Sequence, residues 1–308
     1  MKVYDLTPRG YCHGVVRALQ MVKKAILDPS YPRPIYVLGL IVHNQKISQA
    51  FHDLGVISLH DPSKKRIDLL DQIETGTVIF SAHGVSQDVM DKAVQKGLVT
   101  LNATCKDVTK VHEAIKQKLN EDYHVFYIGH SNHPEPEAIL SIDPSIILVD
   151  SIQSAKTLSK TIDKPIFVTN QTTLSLFDVM PIVEALKETY PDLVFDNEIC
   201  KATTLRQEAV IKQPDTDLLL VVGDFLSSNS NKLKDVSLKA RRIPSYLIKG
   251  VEDINLEWLM TIESVSVTSG ASTPTSVTEE VIRFLNQFDK KDPKTWDHQT
   301  KLTSLDIL

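Results

Sequence analysis

The sequence predicts an α/β protein of three pseudo-symmetric units, each with a mostly parallel sheet and all three facing one cavity. Three observations carry this expectation. Cys12, Cys105 and Cys200 are the only cysteines and stand 93 and 95 residues apart (105 − 12 and 200 − 105). An apolar strand that ends in a small or polar loop occurs twice after each of the first two cysteines and twice after the third, in the same order. Segments with helical period separate these strands, and short buried strands alternating with amphipathic helices indicate parallel sheets covered on both faces.

The elements follow from that pattern in order. In the first unit, Ile35-Tyr-Val-Leu-Gly-Leu-Ile-Val-His-Asn and Val78-Ile-Phe-Ser-Ala-His-Gly-Val are strands that run into histidine-bearing loops. Their counterparts in the second are Val125-Phe-Tyr-Ile-Gly-His-Ser-Asn-His-Pro-Glu and Pro165-Ile-Phe-Val-Thr-Asn-Gln-Thr-Thr. In the third they are Leu218-Leu-Leu-Val-Val-Gly-Asp-Phe-Leu-Ser-Ser-Asn-Ser-Asn and Val265-Ser-Val-Thr-Ser-Gly-Ala-Ser-Thr-Pro. Helices are expected over 14–28, 85–96, 106–120, 175–189, 228–240 and 275–286. Unit boundaries are expected near residues 100 and 195, giving units 1–100, 101–195 and 196–288. A tail, 289–308, rich in Lys, Asp and Thr, reads as an extension or partner-facing arm. Ligands of parallel α/β sheets sit beyond the carboxyl ends of the strands, where every one of these loops falls.

Composition narrows the class. A chain of 308 residues, 42% hydrophobic and 24% charged, has enough apolar residues for a sizeable core. Its net charge of −5 argues against a dedicated nucleic-acid or anionic-membrane surface. No apolar run approaches the length of a membrane span. Met1-Lys-Val-Tyr-Asp leads directly into a strand, so no leader peptide is expected. Three dispersed cysteines make no disulfide framework, which points to a reducing, cytoplasmic setting.

Each cysteine closes a strand or turn and opens a helix, as in Gly10-Tyr-Cys-His-Gly-Val, Ala103-Thr-Cys-Lys-Asp-Val and Glu198-Ile-Cys-Lys-Ala-Thr. The partial positive charge of a helix N-terminus suits an anionic sulfur ligand. A lone cysteine is usually a small buried hydrophobe, but three at one repeat position suggest a shared metal centre. Zinc with a fourth histidine ligand is the rival, although zinc sites usually take close C-x-x-C pairs and this chain has none. A 4Fe–4S cluster, one per chain, with three cysteine ligands and one open iron is the favoured reading.

His43, His83 and His133 end repeat strands and suit an anionic ligand as cations or N–H donors. The third unit offers Ser227, Ser228 and Asn229 in one loop and Ser272 in the other. Helix capping is the simpler role for Ser228, and it is compatible with anion binding. No glycine-rich nucleotide loop occurs. Together these donors imply a diphosphate-like group held without a magnesium cage. Glu135 stands two residues beyond His133 as a candidate proton donor, and Thr172 faces it in the order of the loops as a proton relay or hydroxyl anchor. Taken alone, Thr172 would read as a helix cap.

These motifs, with Val42-His-Asn, Gly129-His-Ser-Asn-His-Pro-Glu, Asn170-Gln-Thr-Thr-Leu-Ser, Ser227-Ser-Asn-Ser-Asn and Gly270-Ala-Ser-Thr-Pro in that order, resemble the LytB-type 4-hydroxy-3-methylbut-2-enyl diphosphate reductases over nearly the whole chain. The resemblance implies a trefoil of three α/β domains around a central 4Fe–4S cluster. It also implies reductive removal of an allylic hydroxyl as the last step of the non-mevalonate isoprenoid pathway. Cys12, Cys105 and Cys200 would hold the cluster. His43, His83, His133, Ser227, Ser228, Asn229 and Ser272 would hold the diphosphate. Glu135 would donate the proton, and Thr172 would position the substrate hydroxyl. Electrons would come from an external flavodoxin- or ferredoxin-like protein, since no flavin or nicotinamide motif is visible. His13, Val16 and Lys106-Asp107 depart from the family pattern without removing a ligand. The competing readings are a zinc hydrolase of a phosphorylated substrate and a non-catalytic iron–sulfur redox sensor.

Overall fold

The computed structural model describes residues 1–158 and 162–308. Among the described residues the strands are β1 (Lys2–Asp5), β2 (Ile35–Leu38), β3 (Val56–Leu59), β4 (Thr77–Phe80), β5 (Val99–Asn102) and β6 (His124–Ile128). They continue with β7 (Ile147–Val149), β8 (Ile166–Asn170), β9 (Val194–Phe195), β10 (Leu218–Val222), β11 (Ser245–Ile248) and β12 (Ser264–Ser269). They form three four-stranded sheets with orders β3-β2-β4-β5, β7-β6-β8-β9 and β1-β12-β10-β11, and every pairing is parallel.

The two central strands of each sheet are those marked by the apolar runs, because a strand buried on both faces carries a continuous hydrophobic signal. The edge strands are no longer than the central ones and are half-wet, so their sequence signal is weak. The helices fall within two residues of expectation: His13–Leu27, Gln87–Gln95, Lys106–Asn120, Leu176–Thr189, Ser228–Arg241 and Thr275–Gln287. In His13–Leu27, the buried Val15, Ala18, Leu19, Val22 and Ala25 recur three or four residues apart and form the core-facing stripe.

One placement departs from the sequence expectation. β1, expected in the first unit, pairs with β12, Lys2 opposite Ser264 and Asp5 opposite Val267. Each sheet therefore ends on the strand that precedes a cysteine: β1 before Cys12, β5 before Cys105 and β9 before Cys200. The cysteines close the sheets rather than open them, so a boundary near residue 100 falls inside β5. A four-residue strand can meet either neighbouring sheet, and its partner is chosen by contacts more than 250 residues away in the chain.

The chain divides into two compact units. One comprises 1–16, 42–54 and 201–308 and contains the β1-β12-β10-β11 sheet. The other comprises 17–41 and 55–200 and contains the other two sheets. In the latter, the alternation of β6 divides its residues between two cores. Phe126 and Ile128 pack with Val168, Val183 and Leu186 on one face, while Val125 and Tyr127 pack with Val111, Ile115 and Phe167 on the other. Truncating a fully buried residue such as Phe126 to alanine is expected to cost about 3–5 kcal/mol.

The tail folds back on the first unit rather than projecting from it. Tyr11 Oη donates to the Ile307 carbonyl at 2.7 Å, and Ser276 Oγ donates to that of Asp306 at 2.6 Å. Ser304 bonds Asp53, and Ile307 is buried. No helix among the described residues is long and apolar enough to cross a membrane.

Candidate active site

Each cysteine N–H is fastened in the same way. Cys12 N donates to Ala271 O at 3.1 Å, Cys105 N to Ala82 O at 2.9 Å and Cys200 N to Thr172 O at 3.0 Å. Each accepting carbonyl belongs to the residue two beyond the end of the neighbouring strand, β12, β4 or β8. The repeat seen in the sequence is thus a repeat of hydrogen bonding. All three cysteines are thiols outside any disulfide and half-buried. Each lies directly before a helix. Gly10 reaches Cys12 through a left-handed turn, φ +74°, where a side chain would strike Thr275 Oγ1. Cys105 Sγ lies 3.7 Å from Asp107 Oδ2.

In the first unit, Ser272 Oγ donates to the His43 carbonyl at 3.2 Å and lies 3.5 Å from Ser227 Oγ. Ser227 caps the helix Ser228–Arg241, its Oγ accepting from Ser230 N at 3.3 Å. Asn229 is engaged at both ends of its amide, Nδ2 donating to Thr203 Oγ1 at 3.0 Å and Oδ1 accepting from Ala271 N at 3.0 Å. Asn229 therefore braces the loop that receives the Cys12 N–H.

In the second unit, the rings of His83 and His133 meet edge to face with centroids 5.4 Å apart. His133 Nδ1 accepts the Glu135 N–H at 3.2 Å, which puts the ring proton on Nε2, a tautomer assigned from that bond. Glu135 is 1% exposed. Its Oε1 accepts from Thr172 N at 2.9 Å and Tyr127 Oη at 3.0 Å, and its Oε2 accepts from Thr172 Oγ1 at 2.9 Å. Burial pushes the Glu135 carboxyl up to about 7, against the opposing pull of the Thr172 and Tyr127 hydrogen bonds. Thr172 does not cap the following helix, whose N-cap is Ser175.

Two contributors escaped sequence reasoning. Tyr127 lies inside an apolar strand, where nothing distinguishes a core aromatic from a hydrogen-bond donor. Arg66 sits in the basic run Lys64-Lys65-Arg66, which reads as a solvated surface, yet it is buried.

Strand-end loops of parallel sheets that carry thiols, histidines and a buried carboxyl near neutrality are the marks of an α/β enzyme. Comparison with known proteins narrows the class. A family model described as LytB protein matches residues 3–286. The 4-hydroxy-3-methylbut-2-enyl diphosphate reductase of Bacillus cereus (strain AH820) is 51% identical over the whole of this chain and 97% of its own length. That of Bacillus mycoides (strain KBAB4) is 50% identical with the same coverage. Among solved structures, the E-1-hydroxy-2-methyl-but-2-enyl-4-diphosphate reductase from Plasmodium falciparum superposes with a TM-score of 0.86 at 32% identity, over 94% of this chain and 89% of that one. A structure of (E)-4-hydroxy-3-methyl-but-2-enyl diphosphate reductase, described as the terminal enzyme of the non-mevalonate pathway, gives 0.66 at 27% identity, over 94% of this chain and 100% of that one. The chain belongs to the LytB family.

Proposed function

We propose that this protein reduces (E)-4-hydroxy-3-methylbut-2-enyl diphosphate to isopentenyl and dimethylallyl diphosphates in the cytoplasm, the last step of the non-mevalonate pathway. Two electrons and two protons are consumed. One proton leaves with the hydroxyl as water and the other is delivered to the allylic carbon. The observation that carries the reading is the buried Glu135 carboxyl, bonded to the Thr172 hydroxyl and raised to about 7. A carboxyl so placed is in part protonated at neutral pH, as proton donation to a departing hydroxyl requires.

The cysteines fit a three-thiolate cluster. All are thiols, all precede helices, and their N–H groups are fixed by equivalent carbonyls. Cys12, Cys105 and Cys200 would hold a 4Fe–4S cluster, which when bound supplies single-electron reduction and a Lewis-acidic open iron. His43, His83, His133, Ser227, Ser228 and Ser272 would hold the diphosphate, with Asn229 supporting their loops. Binding energy from that remote group fixes the reacting carbon near Glu135 and Thr172. Thr172 would orient the substrate hydroxyl and pass it the Glu135 proton. The electrons would come from a flavodoxin- or ferredoxin-like partner.

Anaerobic purification with iron and sulfide analysis, followed by turnover of the allylic diphosphate with a chemical reductant, tests the proposal. A brown protein that releases both products is expected. A colourless protein with one bound zinc and no reductase activity would overturn it.

A further inference from the structure

Arg66 is 6% exposed, and its guanidinium is committed on three sides. Nη1 donates to Gly84 O, Nη2 to Pro134 O at 2.8 Å, and Nε to Glu137 Oε2 at 3.1 Å. Its backbone N–H donates to Glu137 Oε1 at 3.3 Å. Gly84 directly follows His83 and Pro134 directly follows His133, so one planar side chain ties together the residues behind both histidines. The rings of those histidines stand 5.4 Å apart and nearly perpendicular, at 86°.

Burying a guanidinium costs several kcal/mol in desolvation, and an apolar side chain of similar volume often packs as well or better. Core packing alone therefore gives no reason for an arginine here. Its fork does, because a guanidinium donates in fixed directions and can set the separation of two carbonyls. The Gly84 carbonyl is aimed by a left-handed backbone, φ +91°, at a site where a Cβ would lie 3.1 Å from Val108 Cγ1 and 3.3 Å from His112 Nε2. A side chain at Gly84 would therefore be both strained and crowded.

We infer that Arg66 is a positioning residue for the diphosphate, a clamp that sets the spacing of His83 and His133 without touching the ligand. This rests on the functional reading above. Losing the clamp lets the two loops settle independently and misplaces a pair of donors meant for one anion. Lysine retains the charge but lacks the planar fork.

The test uses anaerobic holoenzyme and inorganic pyrophosphate, titrated calorimetrically, alongside steady-state kinetics on the allylic diphosphate. R66K and R66A are each expected to weaken pyrophosphate binding and raise KM by about tenfold, equivalent to roughly 1.4 kcal/mol. The expected change in kcat is smaller, with iron, sulfide and thermal midpoint near wild type in R66K. Wild-type pyrophosphate affinity in R66K would overturn the clamp, since charge alone would then suffice. Loss of affinity in R66K only in step with loss of cluster and folding would also overturn it, as a purely structural role. Failure of the wild-type protein itself to bind pyrophosphate would instead strike the functional reading, and the clamp with it.

Discussion

Thr172 donates its hydroxyl to Glu135 Oε2 at 2.9 Å and its N–H to Glu135 Oε1 at 2.9 Å, while its carbonyl accepts the Cys200 N–H at 3.0 Å. One residue thus couples the position of the buried carboxyl to the position of a cysteine. A shift of the Cys200 loop would be felt at the Glu135 carboxyl through a single residue.

Glu135→Gln keeps the hydrogen-bonding shape but removes the acid. Turnover is expected to fall about 10²–10⁴-fold, the usual contribution of general acid catalysis, with cluster content and pyrophosphate affinity retained. Steady-state rates like wild type would remove Glu135 from the mechanism.

The raised carboxyl also predicts two pH dependences. Wild-type turnover should decline as pH rises through about 7, where Glu135 loses its proton. The folded carboxyl holds its proton more tightly than the unfolded one, whose ordinary value is 4.5. Its contribution to stability is therefore complete below about 4.5 and lost as pH rises through about 7. Relative to wild type, Glu135→Gln should gain stability between pH 5 and 8, by at most roughly 3 kcal/mol. Parallel urea denaturation at pH 5 and pH 8 measures it, and equal differences at the two pH values would contradict the assignment.

Tyr127→Phe removes a hydroxyl that favours the ionised Glu135. One net hydrogen bond of about 1 kcal/mol corresponds to roughly 0.7 pH unit. The alkaline limb of the pH–rate profile should move upward by about that amount, with little change in the profile's height. An unmoved limb would show that the phenol does not act on the carboxyl.

Cys105→Ser should purify anaerobically without the intact 4Fe–4S absorbance and with reduced iron and sulfide. Normal iron and sulfide content would contradict its assignment as a ligand.

Deleting residues 304–308 removes the buried Ile307 side chain and the carbonyl that accepts the Tyr11 hydroxyl next to Cys12. The loss is expected to be about 2–4 kcal/mol, from burial of an isoleucine and a hydrogen bond. Thermal denaturation of the truncated protein checks it, and an unchanged midpoint would mean that the tail rests on the fold without supporting it.

The sequence by itself determined the six central strands, the main helices and the loops that carry Cys12, Cys105, Cys200, His43, His83, His133, Glu135 and Thr172. Those features rest on local periodicity and on residue type at strand ends, which neighbouring residues specify. Only the tertiary structure decided that β1 joins β12, that the cysteines close the sheets, and that the tail returns to Tyr11. It likewise placed Tyr127 beneath Glu135 and Arg66 behind two histidines. These are pairings between residues distant in the chain, chosen by which buried polar group finds a partner, and no local pattern encodes that choice.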